Sequence, residues 1–163
     1  MDAIRDADID PTPLEGKRVA IIGYGNQGRA QALNLNDSGI EVVVGLRDGS
    51  PSVAKAKADG IAMAPLHEAS ATADVVMLLA PDEVLAAIYR EIEPRLREST
   101  ALGFSHGLAI RFGFIVPRTD LDVYMVARWA AGGPGCCARP SPRNARPTCS
   151  TNRRSSGAQS RKS

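Results

Sequence analysis

The chain has 163 residues, 23% of them charged, with a formal net charge of +2, which is the size of one ordinary domain with room for a hydrophobic core. The small net charge hides two opposed regions: residues 127–163 hold seven arginines, one lysine and no acid, for +8, while the remainder carries −6. All three cysteines (Cys136, Cys137 and Cys149) fall in the basic segment, which excludes a disulfide framework or cysteine zinc site from the body, and no apolar run approaches the roughly 18 residues of a membrane span. The start, Met1 to Asp6, is acidic and polar, unlike a signal or transit peptide. The body is therefore expected to be a soluble cytoplasmic protein. Residues 1–16 form an irregular lead-in, because Pro11 and Pro13 oppose regular structure.

The first strand covers 19–22 and runs straight into Gly23-Tyr24-Gly25-Asn26-Gln27-Gly28. Each glycine of this G-x-G-x-x-G pattern has its own task. Gly23 permits the tight turn, Gly25 lets backbone N–H groups approach a pyrophosphate, and Gly28 lets the following helix pack close to the strand. A helix over 26–38, stopped by Gly39 as a terminal glycine, would aim its positive amino end at the phosphates. Alone the pattern is weak, but between a strand and a helix it indicates a dinucleotide site.

A second strand follows at 41–45, rich in β-branched residues. Beyond it an NAD site usually carries an acid for the ribose hydroxyls. Here the segment is Gly45-Leu46-Arg47-Asp48-Gly49-Ser50-Pro51-Ser52. Arg47 can offer a charge-assisted fork to a 2′-phosphate, and Ser50 and Ser52 can donate further bonds. Asp48 would repel a phosphate if it faced the site, yet the balance favours NADP over NAD. Ser50-Pro51 also has the form of an N-cap followed by proline at the first helical position, with Gly60 ending that helix.

His67 is expected on the solvent face of a helix. The apolar run 75–79 suits a strand buried on both faces. Pro81-Asp82 opens another helix with Val84, Leu85, Ile88 and Ile92 on an apolar face, and Pro94 breaks or restarts it. Strands at 100–104 and 121–126 bring the total to five. Alternating strands and helices imply right-handed crossovers, hence a doubly wound parallel α/β sheet of the Rossmann type that lacks its last strand. His106 follows a strand, at the carboxyl edge where such sheets bind ligands. An imidazole there can shuttle a proton.

At Ala127 the composition changes. Residues 127–163 contain no Leu, Ile, Val or Phe, so they cannot bury enough apolar surface to offset the entropy of ordering them, and disorder is expected. The charge would suit a nucleic-acid arm. The segment has no aromatic besides Trp129 and no recognisable module, so nucleic acid is not the favoured partner. The division is thus 1–126 as a dinucleotide-binding domain and 127–163 as a basic tail.

With these residues assembled, the chain resembles ketol-acid reductoisomerase from about 14 to 126. The likeness rests on Gly-Lys-Arg-Val-Ala-Ile-Ile-Gly-Tyr-Gly-Asn-Gln-Gly at 16–28, Gly-Leu-Arg-Asp-Gly-Ser-Pro-Ser at 45–52, Pro-Asp-Glu-Val at 81–84 and Phe-Ser-His-Gly at 104–107. The resemblance implies NADPH as cofactor, with Tyr24, Gly25, Asn26 and Gln27 lining it and Arg47, Ser50 and Ser52 holding its 2′-phosphate. It implies a further cofactor loop at Asp82, Glu83, Val84 and Leu85, although the family often has glutamine where Leu85 stands. His106 becomes the active-site histidine, and Gly132 aligns by count with a cofactor-contacting glycine.

The implied reaction is alkyl migration in a 2-acetohydroxy acid, followed by reduction of the new ketone by NADPH. In the family the migration uses two Mg²⁺ held by carboxylates of a second, helical domain. This chain is expected to lack those ligands and most of the family's oligomer contacts. Past Val126 the family continues with a lysine-bearing Pro-Lys-Gly-Pro-Gly-like segment, whereas this chain has Arg128-Trp129-Ala130-Ala131-Gly132. A shifted reading frame would produce such a break. The expected result is a cofactor-binding fragment without activity alone, or otherwise a non-catalytic NADP-binding module.

Overall fold

Strand β1 (Arg18–Ile22) is the strand on which the others are laid. Val19 is 1% exposed and the three residues after it are fully buried, so both faces of the strand must be covered. The computed structural model describes residues 12–126. Two strands, β2 (Glu41–Leu46) and β4 (Val75–Leu78), flank β1 in parallel, with Ala20 opposite Val43 on one side and Val76 on the other. Adding β3 (Ala62–Pro65), β5 (Ala101–Phe104) and β6 (Asp122–Met125) gives a six-stranded parallel sheet of order β3-β2-β1-β4-β5-β6. This is the strand order of doubly wound dinucleotide folds.

The expected count of five strands is corrected to six. The strand missing from that count is β3, at the edge opposite β6. Its sequence, Ala-Met-Ala-Pro, has no β-branched residue and ends in proline, so it carries no local strand signal. Pairing with β2, from Val43 opposite Ala62 to Leu46 opposite Pro65, makes it a strand. The lead-in differs too, since Thr12–Leu14 forms a 3-10 turn.

Alternation along the strands assigns the two faces. Val19, Ile21, Val42 and Val44 pack with Ala32, Leu33 and Ala56 of α1 (Asn26–Asp37) and α2 (Ser52–Ala58). Ala20, Ile22, Val76, Leu78, Leu102 and Phe104 pack on the other face. Their partners come from α3 (Leu66–Thr72), α4 (Asp82–Ile92) and α5 (Leu108–Arg111). On α4 the spacing puts Leu85, Ile88 and Ile92 inside and leaves Val84 half-buried. Pro94 lies in a 3-10 turn, Glu93–Arg95, directly after α4. His67 is half-exposed on α3. No helix among the described residues is long and apolar enough to cross a membrane. The expected disorder of 127–163, and Gly132 with it, lies outside the described residues.

Asp74 ties the amino edge together. Its Oδ2 accepts the Arg18 N–H at 2.9 Å and its Oδ1 accepts from Arg97 at 3.0 Å. The Arg18 N–H bond, aided by the charges of Arg97 and Lys17, holds this carboxyl below the usual aspartate range. A depressed carboxylate stabilises the fold above its unfolded pKa, and that contribution fades as pH falls through the folded value. Asp74→Ala is therefore expected to lower unfolding free energy by about 1–2 kcal/mol at pH 7. The gap should narrow below about pH 4, where the unfolded carboxyl protonates. Urea titrations of both proteins at pH 7 and pH 3 measure this, and a gap that widens at pH 3 would contradict it.

Candidate functional site

At β1 the chain winds in two directions, with β2 on one side and β4 on the other. The connections that leave the carboxyl ends of these strands diverge and open a crevice, the usual ligand position in such sheets. A cleft of about 760 Å³ lies there, within the size range of small-molecule and cofactor sites. It gathers the turn after β1, the turn after β2, the Ala80–Asp82 entry to α4 and the end of β5 at Ser105 and His106.

The three glycines of the first turn stand in three different surroundings. Gly23 has φ +101°, and a Cβ there would meet Ala80 N at 2.9 Å, so a side chain would be both strained and crowded. At Gly28 a Cβ would lie 2.2 Å from the Gly23 carbonyl oxygen, because α1 packs directly on the turn. At Gly25 a Cβ would meet nothing within 4 Å, and this residue borders the cleft. Helix α1 starts at Asn26 with no side-chain cap, so its first-turn N–H groups are available to a ligand in the cleft. Tyr24 borders the cleft too, but its side chain is only 3% exposed and its hydroxyl donates to Asp59 Oδ2 at 2.9 Å.

Beyond β2 the chain turns through Arg47–Ser50, closed by Ser50 N–H donating to Arg47 O at 3.1 Å. Gly49 sits in this turn at φ +74°, a backbone geometry that favours glycine. Ser50 Oγ accepts the Ser52 N–H at 3.3 Å, the bond an N-cap makes, which leaves its hydroxyl proton free to donate. Ser52 Oγ donates to the Tyr24 carbonyl at 3.4 Å. Arg47 is exposed and has no ion-pair partner among the described residues. Arg47, Ser50 and Ser52 all line the cleft, with Asp48 beside them.

His106 lies just past the end of β5 and is largely exposed into the cleft. Its Nδ1 accepts the Leu108 N–H at 3.2 Å, so the neutral ring carries its proton on Nε2. Asp82 Oδ2 stands 3.7 Å from the same Nδ1, outside hydrogen-bond reach.

The cleft thus brings together Gly23, Tyr24, Gly25, Asn26, Gln27, Arg47, Ser50, Ser52, Asp82, Val84 and His106. Gly28 sits behind it as packing, Glu83 is exposed outside it, and Leu85 is 3% exposed in the core beneath α4. Sequence reasoning missed Ala80, Pro81 and Ser105 among the lining residues. Their signal was available, because each follows the carboxyl end of a strand next to one already assigned.

A family profile described as "Acetohydroxy acid isomeroreductase, NADPH-binding domain" matches residues 13–141. Among solved structures, an NADH-preferring ketol-acid reductoisomerase from an uncultured archaeon is 48% identical with a TM-score of 0.74. The match covers 80% of this chain and 41% of that one, so this chain spans well under half the length of that relative. A semialdehyde dehydrogenase NAD-binding protein from Cupriavidus necator, in complex with calcium and NAD, is 25% identical with a TM-score of 0.60, covering 67% of this chain and 40% of that one. The 3-hydroxyisobutyrate dehydrogenase of Mycobacterium tuberculosis is 25% identical with a TM-score of 0.56, covering 72% and 42%.

Proposed function

The chain belongs to the acetohydroxy acid isomeroreductase family, and from that membership we propose that its cleft is an NADPH site of a ketol-acid reductoisomerase. One observation carries the reading. A single cleft joins the glycine turn, an exposed arginine with two serines after β2, and a histidine at the end of β5. The residues fit the cofactor, since Gly25 leaves open space at the uncapped amino end of α1. The first-turn N–H groups of α1 hold the pyrophosphate. Arg47 and Ser50 hold the 2′-phosphate, and Ser52 joins them once it releases the Tyr24 carbonyl.

The archaeal relative is described as NADH-preferring, so membership of the family does not by itself fix the cofactor, and the preference is argued from this chain's own turn after β2. Here the cation and two hydroxyls favour the phosphorylated form. Direct titration of the chain tests this: NADPH is expected to bind at least about tenfold tighter than NADH, the worth of one charge-assisted bond. Equal affinities would remove the 2′-phosphate assignment, and no binding of either would remove the whole reading.

The proposed substrate is a 2-acetohydroxy acid, and bound NADPH supplies hydride for its reduction. His106 carries its proton on Nε2 because Nδ1 is engaged by Leu108. It would donate that proton to a substrate oxygen at the mouth of the cleft. Magnesium is a different matter. No cluster of three His, Cys, Asp or Glu side chains capable of holding a metal exists among the described residues, so they do not fit the family's ions and no step is assigned to them. The chain by itself is accordingly expected to leave NADPH at background oxidation rates with 2-acetolactate and Mg²⁺. Absorbance at 340 nm follows this, and measurable turnover would refute the inactivity. Adding a separately purified second domain bearing its own carboxylates is the complementary arm.

A further inference from the structure

Behind the cleft, two side chains from separate elements meet at the carboxylate of a third residue. Tyr24, in the glycine turn, donates its hydroxyl to Asp59 Oδ2 at 2.9 Å. Arg29, in the first turn of α1, donates Nε to Oδ2 and Nη2 to Oδ1, both at 2.7 Å. Asp59 itself caps the carboxyl end of α2. Burial, then the bond to Asp59 and its charge, push the Tyr24 phenol up to about 12, so it remains a donor throughout the neutral range.

At the other end of α2, Ser52 Oγ makes only a long contact with the Tyr24 carbonyl, 3.4 Å. Helix α2 is seven residues long, roughly 10 Å at 1.5 Å per residue. It acts as a short strut that leaves the turn after β2 and ends at Asp59, which fastens it to Tyr24. Its amino end begins in the turn proposed to hold the 2′-phosphate, and Tyr24 belongs to the turn proposed to hold the pyrophosphate. Arg29 closes the arrangement from α1, and its own N–H donates to Gly25 O at 2.9 Å.

We propose that Asp59 is a positioning residue that, through Tyr24 and Arg29, sets the separation between the two cofactor turns so that one dinucleotide engages both. The inference rests on the dinucleotide reading of the cleft and goes beyond it, since neither Asp59 nor Arg29 lines the cleft. An exposed ion pair alone would do little. Here Arg29 is half-exposed, but the Asp59 side chain is only 15% exposed and Tyr24 is 3% exposed, so the network is anchored in the core.

The test compares ligands that span both turns with one that reaches a single turn. Using the 163-residue chain, Kd is measured by calorimetry for NADPH, NADH and adenosine 2′-monophosphate. Asp59→Ala is expected to weaken NADPH and NADH alike, each about tenfold, the scale of coupling within one hydrogen-bonded network. Adenosine 2′-monophosphate, which meets only the turn after β2, stays within about twofold. Asp59→Asn, which keeps one of the two acceptor oxygens, recovers part of the loss. Tyr24→Phe leaves the Arg29–Asp59 pair intact and shows the same pattern at about threefold, which carries the test if Asp59→Ala does not fold.

Unchanged dinucleotide affinity in both variants overturns the proposal. So does an equal loss for adenosine 2′-monophosphate, because that would mark a local structural defect rather than a change in spacing. If the unaltered chain binds neither dinucleotide, the cofactor reading fails first and takes this inference with it.

Discussion

Gly28→Ala is expected to destabilise the domain by about 2–3 kcal/mol, at the upper end of the usual cost of overpacking. The added Cβ would stand 2.2 Å from the Gly23 carbonyl oxygen and 3.5 Å from Ile21 Cγ2. The first of these neighbours is backbone and cannot rotate away. Relief requires α1 to lift from β1, which opens the contact of Ala32 and Leu33 with Ile21 and Val44 and displaces the amino end of the helix from the cleft. Both stability and NADPH affinity should fall together.

Gly25→Ala separates the two properties. Nothing lies within 4 Å of its added methyl, so unfolding free energy is expected to stay within about 0.5 kcal/mol of the parent. The methyl would instead occupy the space where a pyrophosphate approaches the turn. A misfit of about 1.5–3 kcal/mol there weakens NADPH by roughly ten- to 150-fold. Urea denaturation and cofactor titration of the two variants side by side give the readout. If Gly25→Ala bound NADPH as the parent does, the pyrophosphate would not sit over this turn.

The second large effect concerns selectivity. Replacing Ser50 and Ser52 together by aspartate is expected to weaken NADPH on the order of 100-fold while leaving NADH within about threefold, because two donors are lost and two charges repel the 2′-phosphate. The fold should tolerate the change. Ser50 Oγ serves α2 by accepting the Ser52 N–H at 3.3 Å, and aspartate is an equally good cap. Ser52 begins α2, where a negative side chain suits the helix dipole. The effect should shrink as salt rises, since these side chains are only half-buried and a Debye length of about 8 Å at physiological ionic strength screens charges at such a site in part. Parallel titrations with both cofactors, with melting curves as control, measure it. A matching loss for NADH would show that the turn binds something other than the phosphate.

The amino-acid sequence alone determined the features that depend on short stretches of chain. The strand at 19–22, its glycine turn and the helix from Asn26 are local grammar, and they appear as β1 and α1. The apolar spacing of Leu85, Ile88 and Ile92 likewise fixes the inner face of α4. Position after a strand end was enough to bring Arg47, Ser50, Ser52 and His106 to one edge of a parallel sheet, where the structure joins them in a cleft.

Other features waited on residues far apart in the chain. Strand β3 has no strand-forming side chains and exists because the exposed edge of β2 pairs with it. The direction of the Tyr24 ring is set by Asp59, 35 positions away, and the grip of Arg29 by the same carboxylate, 30 positions away. A hydrogen bond of this kind leaves no period or spacing in the sequence, because its two ends meet only after α1 and α2 have packed on the same face of the sheet.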